Sequence, residues 1–230
     1  MAIYLHEIIR VVPGREDEYM ASVLSLGFIP ARRRAGVKHS EALGLFRTAE
    51  HSGPAPKVVN IWQHEGWNTL TGALARQFQD HQRDSKMEAW WKANTDLRRG
   101  GHDRVLLPTA YTRDREGLAQ DAVRGRVFVH EIVTLPMGEP AAYLERLGRL
   151  QPVFGQLGWE IVGAYRVAWR PREALVLWAL PDWETLGALH QAAPADPEFR
   201  TWLEYREHVV QDLDEMVLLP GRMNPLRLRD

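Results

Sequence analysis

Two Glu residues in repeated His-Glu-Ile motifs are the leading candidates for chemistry in this sequence. Glu7 lies in the segment YLHEIIRVVPG, and Glu131 lies at the same place in FVHEIVTLPMG. A carboxylate in an apolar environment can serve as a general base, because burial raises its pKa towards the range in which it exchanges protons. The alternative is a structural Glu that is buried and bonded to Arg47, Arg166 or a backbone group.

His6 and His130 precede these Glu residues and must point to the opposite face of each strand. An ionised Glu packed under helices is costly unless it is paired, so we expect Glu7 and Glu131 to face a cavity. The two His would then be neutral, hydrogen-bonded core residues. If the facing is reversed, they line the cavity and become the leading candidates. Because adjacent strand residues diverge, a His-Glu pair cannot chelate one ion, and we predict no metal site.

Composition excludes several classes of function. The chain has 230 residues, of which 45% are hydrophobic and 26% charged, with a formal net charge of −1. A near-neutral chain does not attract nucleic acid or a membrane surface. It has no Cys, which excludes disulfides and thiolate sites and suits a cytoplasmic location. We expect no signal peptide, because MAIYLHEIIR lacks a basic segment followed by a long apolar one, and we expect no membrane span, because no apolar run approaches the length of one.

The second half of the sequence repeats the first. EALGLFR matches EIVGAYR, Trp62 matches Trp178, and Trp90 matches Trp202. In the first copy we predict strand 3–12, helix 15–26, strands 42–48 and 57–63, helices 66–79 and 87–97, and strand 104–107. In the second we predict strand 127–135, helix 140–150, strands 160–169 and 174–180, helices 183–192 and 199–210, and strand 216–219.

These elements define an α+β fold class. Each repeat has the βαββαβ order of a ferredoxin-like unit, with an added helical segment before its last strand. We place the first repeat at 1–111, a polar linker at 112–125 and the second repeat at 126–230. A sheet with helices on one face leaves its other face bare. Two tandem repeats are therefore expected to form an internal pseudo-dimeric α/β barrel with a cavity between the sheets.

Short motifs in both repeats resemble the NIPSNAP family of the dimeric α/β-barrel superfamily. In the first repeat they are Ile3-Tyr4, Pro13-Gly14, Glu18-Tyr19, Gly44-Leu45-Phe46, Thr48 and Val58-Val59-Asn60-Ile61-Trp62; in the second, Gly138, Tyr143, Gly163-Ala164-Tyr165 and Val176-Leu177-Trp178. The resemblance spans nearly the whole chain and implies the barrel fold.

The resemblance also suggests site residues. Related barrels place a polar residue in the cavity seven positions before the turn Gly, which is where Glu7 and Glu131 stand. Asn60 occupies a position where the family usually has His, so it joins His6, His130, Trp62 and Trp178 as a candidate substrate contact. The Trp pair could instead be core packing. Haem-binding relatives carry their iron ligand on the helix after strand three, which here holds His190.

We therefore predict a small-molecule enzyme or binder for an apolar or aromatic ligand. Cofactor-free oxygenation, isomerisation or cyclisation with Glu7 or Glu131 as acid/base would fit the superfamily. One alternative is a non-catalytic NIPSNAP-type binding or interaction protein; another is a haem protein that uses His190. We predict no other cofactor and no nucleic-acid or membrane partner, and we leave homo-oligomerisation open.

Overall fold

The chain divides into two compact units. The computed structural model describes residues 1–26, 40–50, 52–53, 56–78, 85–192 and 196–228. Unit 1 comprises Met1–Val105 with Pro220–Pro225, and unit 2 comprises Leu106–Leu219 with Leu226–Asp230. Each unit contains one copy of the repeated His-Glu-Ile strand. Among the described residues, no helix has the length and apolar character needed to cross a membrane.

Unit 1 is an antiparallel sheet with helices. Its elements are β1 Ile3–Val11, α1 Glu16–Ala21 continued by a π-helical turn Ser22–Leu26, β2 Ser40–Thr48, β3 Lys57–His64, α2 Trp67–Phe78, α3 Ser85–Ala93, a 3₁₀ turn Thr95–Leu97, and β4 Arg98–Pro108 as far as Val105. Strand β3 lies between β1 and β2. In this register Glu7 is directly opposite Asn60, and Leu5 is opposite Trp62.

Unit 2 repeats this order. Its elements are the end of β4, α4 Arg115–Gln120, β5 Val127–Thr134, α5 Glu139–Arg149, α6 Gln151–Gln156, β6 Glu160–Val167, β7 Glu173–Leu180, α7 Trp183–Ala192, α8 Pro197–Val209, and β8 Asp212–Pro220 as far as Leu219. The strands follow the order β8-β5-β7-β6-β4, and neighbours are antiparallel. The predicted α+β class with two ferredoxin-like repeats is confirmed.

The observed elements differ in places from the predicted ones. Strand β4 begins at Arg98 rather than at residue 104, because its first half, RRGGHDR, is mostly exposed and shows no apolar alternation. The predicted helix 15–26 changes to π-helical geometry at Ser22. The polar segment 112–125 contains α4, which Asp114 caps by accepting a hydrogen bond from the Gly117 N–H. Leu118 in α4 is fully buried.

Each unit has an apolar core between its sheet and its helices. Burial of a large apolar side chain contributes about 1.5–3 kcal/mol, so these clusters hold the helices on the sheet. The core of unit 1 includes Ile9, Tyr19, Met20, Val23, Val58, Trp62 and Trp90. The core of unit 2 includes Val129, Tyr143, Leu147, Phe154, Trp159, Trp178, Phe199 and Trp202.

The repeated Gly-x-aromatic motif marks a β-bulge in each sheet. The strand register shifts between Ala42 and Gly44 in β2 and between Ile161 and Gly163 in β6. At Gly163 a Cβ atom would collide with the Tyr165 side chain, which is completely buried. A Cβ atom at Gly44 would likewise collide with the Phe46 ring. The aromatic ring therefore covers the Gly two residues before it, and only Gly fits there.

We expect Gly163→Ala to lower the free energy of unfolding by about 1–3 kcal/mol, because the buried Tyr165 ring must move to admit a methyl group. Urea denaturation would measure the change. Gly187→Ala is the matched control: it lies in α7 with no atom near the added methyl group. Helix propensity predicts that this control is stabilised by up to about 1 kcal/mol. Equal destabilisation of both variants would contradict the packing explanation.

Candidate functional site

The two Glu residues face the helices, not the opposite sheet face, so the predicted facing was wrong. Glu131 accepts hydrogen bonds from Trp178 and from Arg206 of α8. Glu7 accepts a hydrogen bond from Trp62, which packs in the core under the helices of unit 1. The His residues that alternate with them, His6 and His130, therefore lie on the other sheet face, where both are fully buried.

Pairing explains why an ionised Glu is tolerated beneath the helices of unit 2. The Trp178 Nε1–H donates to Glu131 Oε2 at 2.8 Å, and the Arg206 guanidinium donates to Oε1. Only 7% of the Glu131 side chain and 24% of the Arg206 side chain are exposed. Each carboxylate oxygen thus has a donor, and the guanidinium supplies the opposite charge that a buried carboxylate requires. The cation paired with Glu131 is thus Arg206 rather than the expected Arg47 or Arg166.

Tyr143 extends this polar cluster. Burial raises the pKa of the Tyr143 hydroxyl well above its usual range, and the neighbouring Glu131 carboxylate raises it further, while Arg206 opposes both. Burial alone would lower the pKa of Arg206, but Glu131, Tyr143 and Glu215 outweigh it and raise that pKa. At neutral pH the cluster therefore contains a protonated phenol beside a guanidinium that stays charged.

The cluster forms the polar wall of a small aromatic pocket in unit 2. The pocket has a volume of about 160 Å³. A cavity of about 150 Å³ in another protein accepts benzene, so this space suits a molecule with one ring. Two carboxylates and one guanidinium line the pocket, which makes its wall negative overall. The lining includes Glu131, Tyr143, Phe154, Trp159, Trp178, Phe199, Trp202, Arg206 and Glu215.

Aromatic contacts hold the pocket wall in shape. The rings of Phe154 and Trp178 lie 4.4 Å apart, and those of Phe154 and Phe199 lie 5.2 Å apart in an edge-to-face arrangement. Trp159 meets Trp178 edge-on at 5.7 Å. Such pairs stabilise beyond their burial by about 0.5–1.5 kcal/mol each. The Trp178 ring thus packs as core while its Nε1–H orients Glu131, which combines the two predicted roles of core and site.

Unit 1 contains a related cluster. The Trp62 Nε1–H donates to Glu7 Oε2 at 2.6 Å, and the Asn60 Nδ2–H donates to the same oxygen at 3.2 Å. Burial raises the pKa of the Tyr19 hydroxyl well above its usual range; nearby Arg98 and a hydrogen bond with the Asn60 side chain oppose this shift, and Glu7 strengthens it. The structure therefore brings the predicted residues Glu7, Asn60 and Trp62 together.

The two clusters take their arginines from different positions. Arg206 follows Trp202 by four residues, but the residue four positions after Trp90 is Asn94. The Asn94 amide donates to the Trp90 carbonyl at 2.8 Å. Arg98, four residues later again, lies near Tyr19. Arg98 and Arg206 do not occupy equivalent positions in the two repeats, so the sequence repeat gives no sign that they have related places.

Other predicted site residues do not enter these clusters. His190 lies in α7, but its side chain is outside the described part of the chain. No group of three or more His, Asp or Glu side chains that could hold a metal ion occurs within the described ranges. Sequence reasoning missed Arg206 and the functional place of Tyr19 and Tyr143. The signal for the Tyr pair was available, because both occur at the same place in the two copies.

Comparison with solved structures places the chain in a known fold. It aligns over 97% of its length with 93% of an anthrone oxidase-like protein, with a TM-score of 0.63 and 9% identity. It aligns over 95% of its length with 93% of a proposed monooxygenase from Lactobacillus acidophilus NCFM, with a TM-score of 0.60 and 10% identity. A NIPSNAP-like domain protein from Burkholderia xenovorans matches 49% of this chain with 90% of its own, at a TM-score of 0.40 and 18% identity.

These two nearly full-length alignments show that the chain shares the fold of those proteins. The fold that the NIPSNAP-type motifs implied is confirmed. At identities of 9% and 10%, these alignments establish the fold and not the activity. No family model and no curated protein sequence matches the chain.

We expect Arg206→Met to lower the free energy of unfolding by about 2–4 kcal/mol, because it leaves the Glu131 carboxylate buried without its cation. Adding Glu131→Gln should recover at least half of the loss, as a double-mutant cycle in urea would show. The control is Arg149→Met, which breaks an ion pair with Glu145 whose side chains are 74% and 67% exposed. That change should cost at most about 1 kcal/mol. Equal losses for Arg206→Met and Arg149→Met would contradict the buried pairing.

We also expect stability to fall as the pH rises above about 10, where tyrosines of the unfolded chain ionise. The buried Tyr143 keeps its proton in the folded state, so the unfolded state binds fewer protons and becomes more favoured relative to the folded state as the pH rises. Tyr143→Phe should reduce this slope by up to about 1.4 kcal/mol per pH unit. Urea denaturation of the wild type and of Tyr143→Phe between pH 9 and 11.5 measures how the free energy of unfolding depends on pH. A wild-type Tyr143 that titrates near pH 10 before unfolding, by absorbance at 295 nm, would contradict it.

Proposed function

We propose that unit 2 binds a small, neutral aromatic molecule that carries an O–H or acidic C–H group, and that Glu131 accepts the proton. The observation that carries this proposal is the buried Glu131–Arg206 pair on the wall of an aromatic pocket. In the reaction the ligand's O–H or C–H bond breaks, its electron pair stays on the ligand, and an O–H bond forms on Glu131. Arg206 then faces the new anion on the ligand and stabilises it.

The pocket's size and charge support this class of ligand. About 160 Å³ suits one ring, and the aromatic lining favours a planar molecule. Carboxylates of Glu131 and Glu215 on the wall disfavour an anionic ligand, whereas they accept hydrogen bonds from a hydroxyl or amino group. These features favour phenol-like molecules over benzoate-like ones.

The fate of the ligand anion decides the reaction class. Return of the proton to another carbon would give an isomerisation, which needs no further reactant. Dioxygen as co-substrate would give an oxidation, for example hydroquinone and O₂ to benzoquinone and hydrogen peroxide. We favour oxidation because two of the nearly full-length structural neighbours are described as an anthrone oxidase-like protein and a proposed monooxygenase. Neither route requires a bound cofactor, since the proton acceptor and the anion-stabilising group belong to the chain.

Phenol binding tests the pocket. We expect phenol, but not benzoate, to shift the indole N–H signal of Trp178 in a ¹H–¹⁵N spectrum, after assignment with Trp178→Phe. Leu186→Phe, which adds a ring to the pocket lining and leaves Glu131 and Arg206 unsubstituted, should abolish the shift. Tighter binding of benzoate than of phenol would overturn the proposed ligand class.

Oxygen uptake with hydroquinone tests the reaction. Glu131→Gln should reduce the rate at least about 100-fold, the usual contribution of a general base. The melting temperature of the variant must be measured beside the rate, because Gln also breaks the ion pair. Arg149→Met is the control and should keep the wild-type rate. Binding of hydroquinone without oxygen uptake would instead favour the non-catalytic binding protein.

A further inference from the structure

We infer that unit 1 holds a second ligand site, in which the buried amide oxygen of Asn60 accepts a hydrogen bond from a ligand O–H or N–H group. This site goes beyond the proposed activity of unit 2. It differs in chemistry because an amide oxygen accepts a hydrogen bond but does not take up a proton at neutral pH. Unit 1 would therefore hold its ligand without deprotonating it at this atom.

The orientation of the Asn60 amide is determined by its neighbour. Asn60 is 1% exposed, and its Nδ2–H donates to Glu7 Oε2 at 3.2 Å. The opposite amide orientation would place two acceptor oxygens against each other, so the oxygen must point away from Glu7. Glu7 is itself held by the Trp62 Nε1–H at 2.6 Å. The hydrogen bonds of Trp62 and Asn60 to Glu7 thus fix the orientation of Asn60 Oδ1.

In this hydrogen-bonded series, Asn60 Oδ1 is the atom that still needs a hydrogen-bond donor. Among the residues that the structure describes, no group donates a hydrogen bond to Asn60 Oδ1, although the atom is buried. The large majority of buried polar side-chain atoms in proteins are hydrogen-bonded, and an exception needs an explanation, such as a water molecule or a ligand that bonds to the atom. A ligand donor would supply that partner.

The other repeat shows that the fold does not need this amide. Val176 is directly opposite Glu131, as Asn60 is directly opposite Glu7. The Glu–Trp hydrogen bond forms in unit 2 with Val at this position. An apolar side chain is therefore compatible with the shared architecture, so the buried Asn60 is a specific feature of unit 1.

The surroundings indicate the class of ligand. Tyr19 and Trp90 lie next to each other, with ring centroids 6.3 Å apart, and both belong to the core cluster that contains Trp62. An aromatic environment with a neutral acceptor suits an uncharged aromatic alcohol or amine. Because the acceptor is neutral, the hydrogen bond adds selectivity for a donor group without selecting for charge.

The experiment follows the indole N–H signals of Trp62 and Trp178, assigned with Trp62→Phe and Trp178→Phe, during titration with phenol and with anisole. Anisole has the same ring but no O–H donor. We expect phenol to shift the Trp62 signal with an affinity about three- to tenfold higher than that of anisole, the usual worth of one net hydrogen bond. Asn60→Val, which copies the residue of unit 2, should lower phenol affinity at Trp62 to that of anisole and leave the Trp178 titration unchanged.

Several results would overturn the inference. Equal affinities of phenol and anisole at Trp62 in the wild type, or unchanged phenol affinity in Asn60→Val, would show that Oδ1 makes no ligand contact. An unshifted Trp62 signal would indicate that a water molecule, and not a ligand, donates a hydrogen bond to Asn60 Oδ1. The wild-type comparison needs no variant, so it remains decisive even if Asn60→Val fails to fold. Loss of the Trp178 response alone would refute the proposed function of unit 2 and leave this inference standing.

Discussion

The rest of each unit is arranged around one constraint: a carboxylate that lies between a sheet and its helices, buried in unit 2 and partly buried in unit 1, must be given donors. In both repeats the first donor is an indole N–H from the neighbouring strand, Trp62 for Glu7 and Trp178 for Glu131. An indole has only one polar atom, so it can satisfy a carboxylate oxygen while its rings remain in the apolar core. This dual character explains why the same Glu and Trp recur in both copies.

Beyond that shared pair, the two units satisfy the constraint differently. In unit 2 the second donor is a guanidinium from helix α8, which compensates the charge of Glu131 at the wall of an aromatic pocket. In unit 1 the amide of Asn60 donates to Glu7, and Arg98 lies near Tyr19. The two repeats therefore keep one architecture while offering different functional groups to a ligand, which is how a duplicated unit can acquire two specificities.

The backbone that carries these groups could be read largely from the sequence. The alternating apolar residues of β1 and β5, the turn glycines after them and the Gly-x-aromatic bulges are local signals that appear in both copies. Strand β4 was the main failure, because its exposed and Gly-containing first half lacks the alternation that identifies a half-buried strand. The facing of Glu7 and Glu131 was also mistaken, since strand parity separates two faces without saying which one meets the helices.

By itself the sequence determined the duplication, the α+β class and the candidate residues, because periodicity and repeated motifs are local properties of the chain. Only the tertiary structure decided which side of each sheet holds the Glu residues. That outcome depends on partners far along the chain, such as Arg206, which lies 75 residues from Glu131 and pairs with it. The energy of a buried charge is set by the groups packed around it, and no local pattern specifies those groups.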